Sequence, residues 1–120
     1  MSNSTYRLRF FFDYNCGGCL WCDNDASYEK FDVGVLDGVI YDLNGNIVQE
    51  AKIKLPSLMR QQVLKLDKLF SESLNWNNPS DPSLWDESQW ESFHKKTRNL
   101  HKQISLTLGD DFEVIYKQER

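Results

Sequence analysis

The stretch that decides the fold is YRLRFFFDY, residues 6–14. Its arginines at positions 7 and 9 break an aromatic and aliphatic run with partial period-two alternation, which is typical of a β-strand. A strand needs a partner for its backbone hydrogen bonds. The closing segment FEVIY, residues 112–116, also reads as a strand, and we expect these first and last strands to lie side by side.

A hairpin is predicted between these two strands. Residues 33–41 and 47–55 both read as strands, and the turn between them contains Asn44-Gly45, which is a strong hairpin signal. In residues 47–55 most of the apolar side chains share one parity, and both lysines have the other. This pattern predicts one buried face and one solvated face.

Two long amphipathic helices complete the expected fold. Apolar residues return every three or four positions from Pro56 to Leu74 and again from Trp85 to Leu108. Ser83 is the expected cap of the second helix, and Gly109 is its expected stop. The order predicts a single α+β domain over residues 1–120, with two long helices packed on one face of an antiparallel or mixed sheet of about four strands.

Composition excludes several classes of protein. The chain has 120 residues, a formal net charge of -4 and 40% hydrophobic residues, which argues against disorder. It contains no apolar run long enough for a membrane span, and the N-terminus does not resemble a secretion signal. We therefore expect a cytoplasmic protein without membrane association.

The densest chemistry is the cluster Cys16, Cys19 and Cys22, which forms two overlapping Cys-x-x-Cys units. A zinc site normally has four ligands, and this cluster supplies three cysteines. A redox site is disfavoured by the acidic segment that follows, because carboxylates raise the pKa of a neighbouring thiol. The third interpretation is a packed turn built on Gly17 and Gly18. We favour this interpretation and predict no cofactor, with the three cysteines as the fallback metal ligands.

No catalytic motif is evident, so the sequence predicts a protein that is not an enzyme. We found no nucleophile elbow, phosphate-binding loop or His-Glu zinc motif. Both histidines, His94 and His101, lie in a stretch rich in lysine and arginine. That setting favours a solvated basic helix face over a Cys-His catalytic pair.

Charge is distributed unevenly along the chain. Between Asp13 and Asp42, seven acids are accompanied by one base, Lys30. Such a surface with aromatic residues nearby suits a basic protein partner and does not suit nucleic acid. The predicted partner-binding residues are Trp21, Asp23, Asp25, Tyr28, Glu29 and Asp32.

Four segments of the chain resemble those of a group of small bacterial cytosolic proteins without assigned catalytic residues. They are CGGCLW (16–21), SLNW (73–76), PSLW (82–85) and GDDFEV (109–114). The group is similar in type to immunity proteins that neutralise bacterial toxins. This resemblance implies a non-enzymatic module that binds a toxin domain through its acidic region. The alternative is a small zinc- or thiol-dependent protein that uses the cysteine cluster.

Overall fold

The computed structural model describes residues 4–14 and 16–118. The chain is α+β, as the sequence predicts. Its elements, in order, are β1 (Tyr6–Phe10), β2 (Leu20–Cys22), α1 (Asp25–Phe31), β3 (Ile40–Tyr41), β4 (Ile47–Gln49), α2 (Ser57–Glu72), α3 (Glu87–Leu108) and β5 (Phe112–Tyr116).

The main sheet has three strands in the order β2-β1-β5. Strand β1 is antiparallel to β2 and parallel to β5, so the sheet is mixed, and the predicted pairing of the first and last strands is confirmed. Leu8 lies opposite Cys22 on one side and Val114 on the other, and all three are buried. Alternation therefore turns one face of the sheet to the core and leaves Arg7 and Arg9 on the other face.

The two predicted long helices, α2 and α3, are present, and a third helix that the sequence did not predict, α1, packs on β1 and β2. Helices α2 and α3 pack against each other, and α3 also packs on β5. Among the described residues no helix is both long enough and apolar enough to cross a bilayer. The core residues of α2 and α3 are Val63, Leu66, Phe70, Trp90, Phe93, Leu100 and Ile104, all of them buried.

The predicted cap of α3 was wrong. Asp86 caps this helix, because its carboxylate accepts the Gln89 N–H at 2.8 Å while the Gln89 side chain accepts the Asp86 N–H at 2.9 Å. This reciprocal pair satisfies two donors at the helix start. The Ser83 hydroxyl instead donates to the Ser73 carbonyl at 2.7 Å, and so ties the loop to the end of α2.

The four-stranded sheet was only partly correct, because the hairpin does not join the main sheet. Strands β3 and β4 form a separate two-stranded sheet and cover only short parts of the predicted strands 33–41 and 47–55. Beside the main sheet, the Leu36 N–H donates to the Leu20 carbonyl at 2.8 Å. The predicted parity of residues 47–55 fails at Ile47, which is half-exposed, and holds at Ile53, which is buried after the chain returns to the body.

Candidate functional site

Helix α1 and the residue that caps its C-terminal end carry four of the six predicted partner-binding residues, all of them exposed. The helix begins with a reciprocal cap, in which Asn24 accepts the Ser27 N–H at 3.0 Å. Its inward side chains, Ser27 and Phe31, are buried. Asp25, Tyr28 and Glu29 are spaced by three and four positions, so they share the exposed face of the helix. Asp32, the C-cap residue with φ of 66°, is exposed just beyond the last turn. We call this set the α1 acidic face; its members are Asp25, Tyr28, Glu29 and Asp32.

The charges of the α1 acidic face are not neutralised by nearby bases. Among the described residues, no ion pair reaches this face. The single base of the segment, Lys30, holds its Nζ 5.3 Å from the centre of the Tyr6 ring and 5.9 Å from that of Phe31. An ammonium over aromatic rings is stabilised there by the ring quadrupoles. Within the described part of the chain the three carboxylates are therefore without an ion pair, and together with Lys30 the segment keeps a net charge of -2.

The other two predicted residues, Trp21 and Asp23, are engaged within the sheet. The Asp23 carboxylate accepts from Arg7 Nε at 2.8 Å and lies 3.7 Å from Arg9 Nε, so its charge is largely compensated inside the protein. The Trp21 ring stacks on Phe11 with centroids 4.8 Å apart, and its indole N–H donates to the Phe11 carbonyl at 3.0 Å. Both side chains are therefore held by contacts within the chain, and both remain partly exposed.

A buried carboxylate organises the cysteine-rich loop. Asp37 is fully buried, and its Oδ1 accepts the backbone N–H groups of Cys19 at 2.9 Å and Leu20 at 3.0 Å. Arg60 Nη1 lies 3.7 Å from the other oxygen. Burial raises the pKa of Asp37, and the two N–H donors and the guanidinium oppose that rise. The sequence suggested none of this, because Asp37 was counted as one of the surface acids.

The thiols of the loop are held in their protonated form. Burial raises the pKa of Cys16 to about 11 and that of Cys19 well above its ordinary value. The Cys22 thiol donates to the Asp32 carbonyl at 3.2 Å. A protonated thiol is a poor nucleophile and a poor metal ligand. In the part of the chain that the structure describes, no three His, Cys, Asp or Glu side chains gather into a possible metal site. Buried and half-buried thiols that donate hydrogen bonds within the loop are what the packed-turn interpretation predicts.

The histidines do not lie on a solvated face, so that expectation was wrong. His94 Nδ1 is 3.0 Å from the Tyr116 hydroxyl, and His101 Nε2 is 2.6 Å from the Val114 carbonyl. Both rings are half-buried because α3 packs this side on β5. The neighbouring bases at 95, 96, 98 and 102 are exposed, as expected.

The β3–β4 hairpin exposes a set of large apolar side chains, of which all but Leu43 lie in the predicted strands 33–41 and 47–55. We call this set the hairpin apolar cluster, and its members are Ile40, Tyr41, Leu43, Ile47 and Val48, with exposed fractions between 48% and 106%. Monomeric soluble proteins seldom leave such patches open without a partner. The cluster is therefore a second candidate contact surface beside the α1 acidic face.

Comparison with known proteins identifies one matching family. A family model described as Serratia CdiI immunity protein-like matches residues 6–119, which is nearly the whole chain. No curated protein matches the chain.

Proposed function

We propose that this chain, which belongs to the Serratia CdiI immunity protein-like family, is a non-enzymatic immunity protein that binds a toxin through the α1 acidic face. The family is of a toxin-neutralising type. The observation that supports the binding surface is the unpaired set of carboxylates around one exposed aromatic ring on α1. The complementary partner surface would be basic, and we place the encounter in the bacterial cytoplasm.

The geometry of α1 suits rapid capture of a basic partner. Three carboxylates within two helical turns, with Lys30 held over aromatic rings, create a negative patch that attracts cations from a distance. Steering of this kind raises the association rate and weakens as salt is added. Tyr28, 42% exposed in the middle of the patch, supplies a rigid ring that can be buried on contact.

The cysteines and histidines of the chain support a binding role over catalysis. Burial keeps Cys16 and Cys19 protonated at neutral pH. The imidazole nitrogens of His94 and His101 lie against Tyr116 and the Val114 carbonyl, within the packing of α3 on β5. These groups make contacts within the fold, whereas the carboxylates on α1 are exposed and available to a partner.

The test measures association with the purified product of the gene that neighbours this chain's own gene. In the variant Asp25→Asn, Glu29→Gln, Asp32→Asn, the near-isosteric side chains keep the shape of α1 and remove three negative charges. We expect the association rate at low salt to fall roughly 10-fold and its salt dependence to flatten. We also expect the variant to protect cells from that product less well.

The matched control removes three exposed charges elsewhere, by Glu72→Gln, Glu91→Gln and Asp110→Asn. It should keep the wild-type association rate and the wild-type protection. Equal loss in both variants would indicate a general effect of net charge and would refute the α1 acidic face as the site. A wild-type chain that neither binds the product nor protects cells would refute the toxin-neutralising function for that product.

A further inference from the structure

The β3–β4 hairpin presents apolar side chains on both of its faces and at its tip. Neighbouring strand residues point to opposite faces, and the adjacent Ile40 and Tyr41 are exposed by 48% and 59%. Tyr41 pairs with Ile47 across the strands, while the register shift leaves Val48 as an extra residue. Leu43 at the turn is fully exposed. Apolar surface on both faces suits insertion into a cleft better than docking on a flat surface.

From this arrangement we propose that the hairpin apolar cluster inserts into an apolar cleft of the same toxin, as the second arm of the interface. The inference rests on the proposed function, since it assigns a further contact to that partner. The two surfaces have different roles. The α1 acidic face raises the association rate, and the hairpin apolar cluster lowers the dissociation rate of the complex. In typical interfaces a few well-buried side chains contribute most of the binding energy.

The tip of the hairpin is held in shape before any partner arrives. Asp42 Oδ1 accepts the N–H groups of Asn44 and Asn46, both at 2.9 Å, and the Asp42 N–H donates to the Asn46 carbonyl at 2.9 Å. Gly45 takes the positive φ of 83° that the turn requires. A two-stranded hairpin alone is only marginally stable, so this bonded turn compensates for the lack of a covering layer. A preformed tip costs less ordering on binding.

Charge indicates which partner the hairpin fits. Residues 39–51 contain two acids, Asp42 and Glu50, and no base. Backbone donors from Asn44 and Asn46 lower the pKa of Asp42, so its carboxylate stays ionised at the tip. Two tips that each carry an ionised Asp42 would repel each other, whereas a cleft with a basic floor would attract the tip, and the exposed Lys52 and Lys54 at the foot would lie at the mouth of that cleft. The α1 acidic face likewise favours a positively charged partner.

The base of the hairpin lies next to the end of α1. Lys52 Nζ, just beyond β4, lies 3.4 Å from the carbonyl of Val33, the residue that follows Asp32. Val33 is itself 68% exposed. One partner can therefore reach both surfaces, because Lys52 at the foot of the hairpin contacts the residue that follows Asp32.

The test compares dissociation rates from the immobilised product of the neighbouring gene. In the hairpin variant Leu43→Ser, Ile47→Thr, Val48→Thr, the β-branched threonines preserve strand geometry and remove apolar surface. We expect dissociation at least 10-fold faster, with an association rate within about twofold of wild type. Leu43→Ser alone should give part of the effect, and because Leu43 is fully exposed this change leaves the core intact.

The control variant Leu58→Ser, Leu106→Ser removes two comparably exposed leucines, 77% and 76%, from α2 and α3. It should dissociate at the wild-type rate. If the wild-type chain binds and both hairpin variants dissociate at its rate, the inference is overturned while the proposed function stands. If the wild-type chain does not bind, both are overturned. If sedimentation shows a wild-type dimer that the hairpin variant abolishes, the occupant is a second copy, which overturns the assignment to the toxin.

Discussion

Replacement of Asp37 by alanine should destabilise the protein more than any change at the cysteines. The substitution leaves the N–H groups of Cys19 and Leu20 buried without their acceptor, and each unpaired buried donor costs about 1–3 kcal/mol. It also leaves Arg60 Nη1, a buried nitrogen 3.7 Å from the carboxylate, without its counter-charge. Because Arg60 is 23% exposed and also interacts with the Asp67 carboxylate, this second loss is smaller than the roughly 3–5 kcal/mol typical of a fully buried ion pair. Relief from burying the carboxylate offsets part of the sum, so we expect a net loss of about 4 kcal/mol.

This loss can be measured by urea unfolding followed by tryptophan fluorescence. It would be a large part of the roughly 5–15 kcal/mol that stabilises an ordinary domain. The matched control is Asp42→Ala, which removes a solvent-exposed carboxylate that also accepts backbone N–H groups. The control should unfold close to wild type, because water can replace the lost acceptor. A loss below about 1 kcal/mol in Asp37→Ala would refute the buried carboxylate as the organiser of the loop. The same conclusion would be refuted if a metal chelator lowered the free energy of unfolding of the wild-type protein by more than Asp37→Ala does.

Three further predictions concern the same loop. Gly18→Ala should lower the free energy of unfolding by more than about 2 kcal/mol, because the new Cβ would lie 2.5 Å from Asp37 Oδ1. Gly17→Ala should lower it by about 1–2 kcal/mol, because Gly17 has open space around it but a φ of +77°. Thermal unfolding of both variants separates the steric clash at Gly18 from the backbone strain at Gly17. Burial raises the pKa of Asp67 above its usual 3.8, so the folded protein binds this proton more tightly than the unfolded chain does. The free energy of unfolding of the wild type should therefore fall relative to that of Asp67→Asn as the pH rises from about 4 to 7. A wild-type protein that instead gains stability relative to Asp67→Asn over this range would contradict this sign. Burial raises the pKa of Cys16 from 9.0 to about 11, which lowers the fraction of reactive thiolate about 100-fold. Iodoacetamide should therefore alkylate Cys16 about 100-fold more slowly in the folded protein than in urea, as measured by peptide mass spectrometry. Equal rates would favour the thiol-dependent alternative.

The parts of the fold that the sequence predicted are those with long periodic patterns. Helices α2 and α3 run over 16 and 22 residues, so their apolar repeat is unambiguous. By contrast, β2 has three residues and α1 has seven, too few for periodicity to stand out. In α1 the available signal was the reciprocal cap of Asn24 and Ser27, followed by Phe31 as the one large apolar side chain that turns inward.

The hairpin shows a different limit of sequence reasoning. Asn44-Gly45 predicted the turn correctly, since that preference is local and depends on backbone conformation. Whether the two strands join the main sheet depends on long-range packing that no local pattern records. The edge of β2 is taken by Val35 and Leu36, so a hairpin that begins at Ile40 has no place beside it. Ile47, which the sequence interpretation assigned to the buried face, is therefore half-exposed.

The charge of the acidic segment acquires its meaning only from the fold. The sequence counts Asp23 and Asp37 with the other acids, yet the first is paired with two arginines and the second is fully buried beside Arg60. Neither contributes much field to a partner. The exposed negative charge is instead concentrated on the α1 acidic face and at Asp42 on the hairpin tip. Exposed carboxylates accelerate the association of a basic partner, and apolar side chains that become buried in the complex slow its dissociation. The end of α1 and the hairpin lie side by side, so one partner could contact both.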